Sequence, residues 1–506
     1  GLNTHNHGNQ QYWESTRGDF TTDLTWFLDD LAGTHELKGG IEYSDLGFSV
    51  AFCDTGTPNG ERCVENGVGF YFNDIQHEGE ALPWLMWEDR SSGPTEYAGA
   101  VSTAFVQDAW RVAPNVTLKV GLRYDGVTYD TNTGTEIADM GMLQPRVGIA
   151  WDITGNAKNV VRASWGRFLH PVALTLPWHV RETDEPWFGW YSCSGVLPLY
   201  YETPVGSATE CQAVAADLGW DYRLDHESWD PYGWVLAPWE HYASEPGRSD
   251  PNISAPSADE LIVAFERQIA NGSSIELTFV DKATRDIVED TCNGNWPTPS
   301  PDAACDYFIF GNIPALKRDY RGFIVRLETR SFDWLTLLAS YAYSKSEGSI
   351  EYTQNASYYA DYYPWHFENR YGYLSDHRTH RFKLNGFVSL RGDWSIAFDA
   401  FWSSPFPWQP YENQSDNPEI PYGTNYLEPR GNRDANSSYQ LDLQLAKGFT
   451  IGPARLVLIG SVYNVLSSEQ PISVCGHISG CGDIEMGEPT DWQTPRRYEL
   501  GFRVEF

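Results

Sequence analysis

No stretch of the 506 residues approaches the ~20 consecutive apolar residues of a membrane-spanning helix. Helical membrane proteins are thereby excluded. Membrane β-barrels are not, because each of their strands leaves a much weaker trace. Basic residues are scarce: 35 Lys and Arg stand against 69 Asp and Glu, for a formal charge of −34. That balance excludes a nucleic-acid partner, whose phosphates require a basic face. No G-x-S-x-G, H-E-x-x-H or P-loop motif occurs, so no enzyme activity is expected. Carboxylates lie close together throughout, but among 69 acids such proximity carries no catalytic meaning. Gly1 neither follows a basic region nor precedes an apolar one, so no signal peptide stands at residue 1. The expectation is a removed signal or a start partway into a longer chain.

Aromatic residues are abundant, at 15% with 21 Trp, and the 41% hydrophobic content argues against disorder. Eight cysteines fall as four local pairs: Cys53 with Cys63, Cys193 with Cys211, Cys292 with Cys305, and Cys475 with Cys481. An even set in local pairs reads as disulfides formed in an oxidising compartment. Zinc is the rival reading, against which stand the missing C-x₂-C spacing and the lack of a His pair.

The end of the chain alternates with period two. Tyr498, Leu500, Phe502, Val504 and Phe506 are apolar, and Arg497, Glu499, Gly501, Arg503 and Glu505 lie between them. Period two puts one set on each face of a strand. A charged face against an apolar one is the pattern of a water-filled barrel in lipid. Val116 to Asp125, Tyr439 to Leu445 and His35 to Tyr43 repeat it. Strands are expected near 18–30, 34–50, 97–112, 115–130, 142–154, 158–170, 256–270 and 273–288. Seven more are expected near 317–330, 334–346, 380–391, 394–406, 437–449, 453–466 and 495–506.

The connections alternate. Short ones such as Ala113-Pro114, Asn271-Gly272 and Gly392-Asp393 take turns with long ones at 51–96, 131–141, 171–255, 289–316, 347–379, 407–436 and 467–494. Outer-membrane barrels have short periplasmic turns and long extracellular loops. All four cysteine pairs lie in or at the long loops, which agrees with an oxidising outer face. The expected fold is an all-β transmembrane antiparallel barrel over 18–506, with 1–17 the end of an extracellular loop. A soluble propeller or sandwich also alternates, but predicts neither the loop rhythm nor strands of this length. Fifteen strands ending in the periplasm place the start of strand one outside. Bacterial single-chain barrels are even-numbered and begin in the periplasm. The expectation is missing N-terminal sequence, or an N-terminal portion carried as a separate chain.

Several stretches resemble the TonB-dependent outer-membrane receptors, the Oar-like group in particular. Thr34 to Tyr43 (THELKGGIEY) is similar to that group's H-x-L-K-x-G-x-E strand. Ala104 to Val112 with Leu118 to Asp125 resembles its F-x-Q-D-x-W and L-x-x-G-L-R-Y-D hairpin. Gln144 to Asp152, Val161 to Phe168, Asp376 to Phe382 and Tyr463 to Leu466 resemble later strands. The resemblance covers nearly all of 18–506. It implies a 22-stranded barrel with a plugged lumen, of which the plug, its TonB-binding segment and the first strands have no counterpart here. It implies uptake of a scarce, bulky ligand across the outer membrane of a Gram-negative-type bacterium, with the TonB complex as partner through the plug. Residues 403–408 lack the S-G-x-P-Y form of the family. The alternative is a structural, adhesion or protein-export component binding surface or periplasmic proteins, or polysaccharide.

The 171–255 loop carries Trp178, Trp187, Trp190, Trp220, Trp229, Trp234 and Trp239, with thirteen acidic and three basic residues. Such aromatics form a recognition surface or the loop's own small core over the barrel mouth. Asp221, Asp225, Glu227 and Asp230 offer carboxylate oxygens to Ca²⁺ or Mg²⁺ without EF-hand spacing. A solvated acidic face bridged by ions to lipopolysaccharide is the plainer reading, and no tightly held cofactor is expected. Metal ligation by His377 and His380, or by His5 and His7, is weighed against ordinary surface roles. Arg123, Asp125, Arg326, Glu328, Glu499 and Arg503 are expected on the lumenal wall, hydrating it or touching a plug.

Overall fold

The computed structural model describes residues 7–29, 31–55, 68–77, 80–90, 95–170, 176, 177, 180, 187–193, 234–236, 248–292, 308–351, 368–413 and 424–506. Fifteen strands follow one another as antiparallel neighbours in one sheet. They are β1 (His7–Leu28), β2 (Thr34–Thr55), β3 (Thr95–Ala113), β4 (Val116–Asp130) and β5 (Glu136–Asp152). Next come β6 (Asn159–Leu169), β7 (Ser257–Ala270), β8 (Ser273–Arg285), β9 (Arg318–Phe332) and β10 (Leu335–Gly348). The last are β11 (His380–Leu390), β12 (Trp394–Ser403), β13 (Ser438–Ile451), β14 (Ala454–Tyr463) and β15 (Arg497–Glu505). These are the expected strands in the expected order. Among the described residues neither β1 nor β15 has a second neighbour in this sheet.

The register sorts the side chains onto two faces. Val106 of β3 lies opposite Leu122, Leu122 opposite Pro145, Val147 opposite Trp165 and Trp165 opposite Leu261. Farther along, Phe382 lies opposite Trp402, Trp402 opposite Tyr439, and Leu443 opposite Val462. This face holds the large exposed hydrophobic side chains of every strand pair from Phe20 and Leu24 to Leu500 and Phe502. Such a continuous apolar band outside a protein marks contact with another apolar medium, here lipid. The other face carries Glu42, Arg123, Gln144, Glu276, Arg326, Lys383 and Glu499. One recess of about 870 Å³ draws its lining from β1 through β7, mostly from this polar face, which makes it the concave side.

Two elements differ from expectation. β1 begins at His7, so 7–17, expected as loop, continues the strand. The 131–141 connection shrinks to 131–135 because β5 starts at Glu136. Over that stretch both faces are partly apolar. Ala138 and Met140 point inward into a core with Val127, Tyr129, Leu176, Val180, Ile253 and Phe310. The polar alternation of a wet wall fails where the wall is packed.

That core sits at the long-loop end. Residues between β6 and β7, and between β8 and β9, fold back over the inner face of β4 and β5. Ile287, Ile313, Leu316 and Ile350 form a second cluster beside it. Farther out, Val68–His77, Glu80–Arg90, Trp187–Cys193 and Trp234–Leu236 make a separate four-stranded sheet. It joins the two longest loops, with Trp87 opposite Trp190 and Trp234 opposite Cys193. The short turns use backbone chemistry read from the sequence. Gly392 and Asp393 both have positive φ, at 75° and 62°, as a tight hairpin turn requires.

Candidate functional site

The lumenal wall is knitted by one polar network. Asp125 sits at the inner face of β4 and is almost fully buried. Its carboxylate accepts Thr103 Oγ1 at 2.6 Å, Arg123 Nε at 2.8 Å and Gln144 Nε2 at 2.5 Å. Arg123 also donates to Glu42 at 2.9 Å. The network therefore ties β2, β3, β4 and β5. A buried carboxylate with three donors is satisfied, which is the condition for leaving it charged.

Gln144 has a second duty that its sequence position hides. Pro145 stands mid-strand in β5, where its missing N–H would break a ladder. The β5–β6 pairing starts at Arg146, one residue later. Beyond that point the Leu169 amide of β6 donates instead to Gln144 Oε1, at 3.1 Å. The side chain thereby gives the Leu169 amide, which lies past the end of the β5–β6 ladder, an acceptor. This is the physical content of the Gln144-Pro145-Arg146 triplet.

The other expected wall residues are also placed. Arg326 donates to Glu328 at 3.3 Å, Glu499 accepts from Tyr463 at 3.0 Å, and Arg503 pairs with Glu505 at 2.8 Å. One motif residue lies on the opposite face. Asp108, from Phe105-Val106-Gln107-Asp108-Ala109-Trp110, is on the lipid-facing side with His35 and Trp110. His35 Nδ1 lies 2.6 Å from the Asp108 carboxylate and its Nε2 2.9 Å from the Leu31 carbonyl. Its ring stacks on Trp110, whose indole N–H reaches the Ala32 carbonyl at 3.0 Å. Two separate family-like motifs thus meet as one clamp on the first short turn. Gly33 in that turn has φ 127°, and any side chain there would collide with the Arg111 carbonyl. Sequence reading missed the clamp because its parts are 73 residues apart.

At the long-loop end, residues 349–351, 368–379, 404–413, 424–437 and 464–496 interlock beside β10 to β15. His377, from Asp376-His377-Arg378-Thr379-His380-Arg381-Phe382, is buried. Its Nδ1 accepts the Ser346 amide at 3.2 Å, and its ring stacks on Tyr373 at 4.1 Å and 7°. Burial pushes its pKa down. His380 Nδ1 bonds to Tyr341 Oη at 2.8 Å instead. No group of three or more metal-ligating side chains occurs among the described residues. Arg378 donates to the carbonyls of Ser375 and His377 at 2.9 and 2.6 Å and lies over Phe406. Its pKa falls to about 10, chiefly through burial, with nearby Arg381 adding to it. Cys475 and Cys481 are bonded, with Cα atoms 5.8 Å apart, as the local pairing predicts.

Other expected residues fall elsewhere. Cys53, Cys193 and Cys292 lie in strands whose backbone alone is described, and Cys63, Cys211 and Cys305 lie outside the described residues. The same holds for Trp178, Trp220, Trp229 and Trp239, and for Asp221, Asp225, Glu227 and Asp230. Trp187, Trp190 and Trp234 stand in the loop sheet.

Comparison with known proteins agrees with this architecture. The family model described as outer membrane beta barrel domain matches residues 130–393. That described as TonB dependent receptor-like, beta-barrel matches residues 1–177. The TonB-dependent transporter Oar of Myxococcus xanthus is 24% identical over 403 residues, covering 72% of this chain and 35% of the relative. Among solved structures, the outer membrane transporter YddB from Escherichia coli superposes with TM-score 0.59 at 14% identity, over 98% of this chain and 54% of its own. The unliganded ferric citrate transporter FecA gives 0.54 at 10% identity, over 100% and 56%. The chain thus spans about a third of the curated relative and about half of each structure. The matched proteins are transporters and receptors, and the fold is that of the Gram-negative outer membrane.

Proposed function

The chain belongs to the outer membrane beta barrel domain family and is a barrel of the TonB-dependent receptor type, and from that premise we propose that it is a large part of the wall of a transporter importing a scarce, bulky ligand. The remaining strands, the plug and the TonB-binding segment would be supplied by polypeptide outside these residues. One observation carries the reading. The long loops pack over the inner face at the extracellular end, while the inner face below them is polar and recessed by about 870 Å³. A covered mouth above a wet, charged lumen suits a gated import path, and fold alone would not argue for it. The test is growth or uptake on candidate scarce nutrients, comparing strains lacking this protein with strains lacking TonB. Loss of the same uptake in both is expected. Uptake that persists without TonB overturns the proposal.

A second reading is favoured by the loop sheet joining Glu80–Arg90 to Trp187–Cys193. Two loops sharing one sheet present a common face, as binding of a protein or polysaccharide requires. Deleting 68–90 would then abolish partner capture at the cell surface while leaving TonB-dependent uptake intact. Retention of capture counts against it.

A further inference from the structure

A recess of about 240 Å³ opens where residues 373–378, 406–411 and 472–476 meet, beside Glu351. It lies apart from the lumenal recess and shares no lining residue with it. The volume is about eight times the ~30 Å³ share of one liquid water. It is also below the ~300–1,000 Å³ of sites for drug-sized ligands. It suits one ring-sized group, as at the end of a longer chain.

The walls combine aromatic surface with one cation. Tyr373, Phe406, Trp408 and Tyr411 line it together with Arg378 and Gln409. Arg378 is partly buried and bonds only to main-chain carbonyls, with no carboxylate partner among the described residues. The acid in the lining, Glu351, is already engaged. It accepts the Ser375 amide and hydroxyl and pairs with Arg430. Gln409 uses its carbonyl oxygen for the Gly431 amide, which leaves its amide hydrogens to give. The unspent polar capacity of the wall is therefore donor in character. Among the described residues this half-buried guanidinium has no close ion pair, Asp376 attracting it only at longer range, and an anion would relieve the cost of its burial.

The site is built rather than incidental. The Tyr411 amide donates to the Gly476 carbonyl at 2.8 Å, and Ile478 donates to the Tyr411 carbonyl at 3.0 Å. Gly476 follows Cys475, so the Cys475–Cys481 disulfide fixes the segment that closes the floor. A side chain at Gly476 would meet Gln409 main chain and the Tyr411 ring. His377, stacked under Tyr373, holds the opposite wall.

We propose that this pocket captures a carboxylated sugar, with the Arg378 guanidinium taking the carboxylate and the aromatic wall taking the C–H face of the ring. Aromatic faces bind the apolar side of a sugar, and a planar guanidinium matches a carboxylate bidentately. The occupant is a terminal acidic sugar of an extracellular polysaccharide. An acidic amino-acid side chain would use the cation and leave most of the aromatic wall uncovered. The inference stands whether or not the barrel transports anything.

The experiment is calorimetric titration of the full chain in detergent with D-glucuronate, D-glucose and N-acetyl-glutamate, without TonB. Glucuronate is expected to bind saturably, and each of the other two at least tenfold more weakly. Arg378→Gln should weaken glucuronate at least tenfold and Gln409→Ala several-fold. Heat-modifiable migration checks folding, and if Arg378→Gln fails it, Gln409→Ala carries the comparison. Absence of saturable glucuronate binding overturns the proposal, as does equal binding of glucose. Equal binding of N-acetyl-glutamate makes the pocket a site for acidic side chains instead and also overturns it. Unchanged binding in a folded variant has the same consequence. Because uptake is not measured, failure here leaves the import proposal standing, and failure of import leaves this result standing.

Discussion

At the scale of single residues, His377 ties pH to the integrity of the extracellular end. Its Nδ1 must be unprotonated to accept the Ser346 amide. Burial lowers its folded pKa below the ordinary 6.5. As pH falls through 6.5, the unfolded chain therefore takes up the proton before the folded one. Stability from this group is complete above about 6.5 and declines below it, down to the depressed folded value. His377→Asn keeps an acceptor near Nδ1 and cannot titrate. The thermal midpoint of the variant should fall less between pH 7 and 5 than that of the unaltered protein. Parallel slopes would refute the assignment. The sequence flagged Asp376-His377-Arg378 as a motif, but not this role. Tyr373 is near in sequence, yet the amide that fixes the tautomer comes from Ser346 in β10, 31 residues away. No local pattern encodes such a contact. Cys475–Cys481 was readable because the two partners are only 6 residues apart in one long loop.

At the scale of strands, legibility was high, for a physical reason. Each strand has water on one side and lipid on the other, so period two survives along most of its length. It was lost at 136–142, where the inner side is packed against Val127, Tyr129 and their neighbours instead of facing water, and it did not reach 7–17, the outer end of β1. The assignment of faces is open to direct test. Leu443 lies mid-strand in β13, between Phe398 of β12 and Val462 of β14, on the lipid side. Leu443→Arg should cost about 2–4 kcal/mol near the bilayer midplane. The next residue, Gln444, faces inward and bonds to Ser461. Gln444→Lys should be tolerated with little loss. Urea unfolding in lipid vesicles reads both. Equal effects at the two positions would mean that the faces are not chemically distinct.

At the scale of the molecule, the sheet poses a problem of closure. Strand neighbours along the sheet are antiparallel throughout, and among the described residues the path from β1 to β15 holds fifteen strands, with only the two-residue Gly372–Tyr373 pairing off it. With an odd count, β1 and β15 run in the same direction. Joining them directly would make a parallel seam, against the even-numbered antiparallel barrels of bacterial outer membranes. Leaving them apart would expose two rows of backbone N–H and C=O groups. In hydrocarbon each unsatisfied group costs several kcal/mol, so open edges do not persist there. Additional strands between β15 and β1 resolve both difficulties, and an odd number of them restores an even total. Seven would give the 22 of a plugged transporter. Intact mass and N-terminal sequencing of the membrane-extracted protein test this first. A longer polypeptide, or a second one that co-purifies and cross-links to β1 or β15, is the expected result. A cross-link formed directly between cysteines placed at Thr22 and Leu500, in a preparation containing these residues alone, would instead mean that the fifteen strands close on themselves.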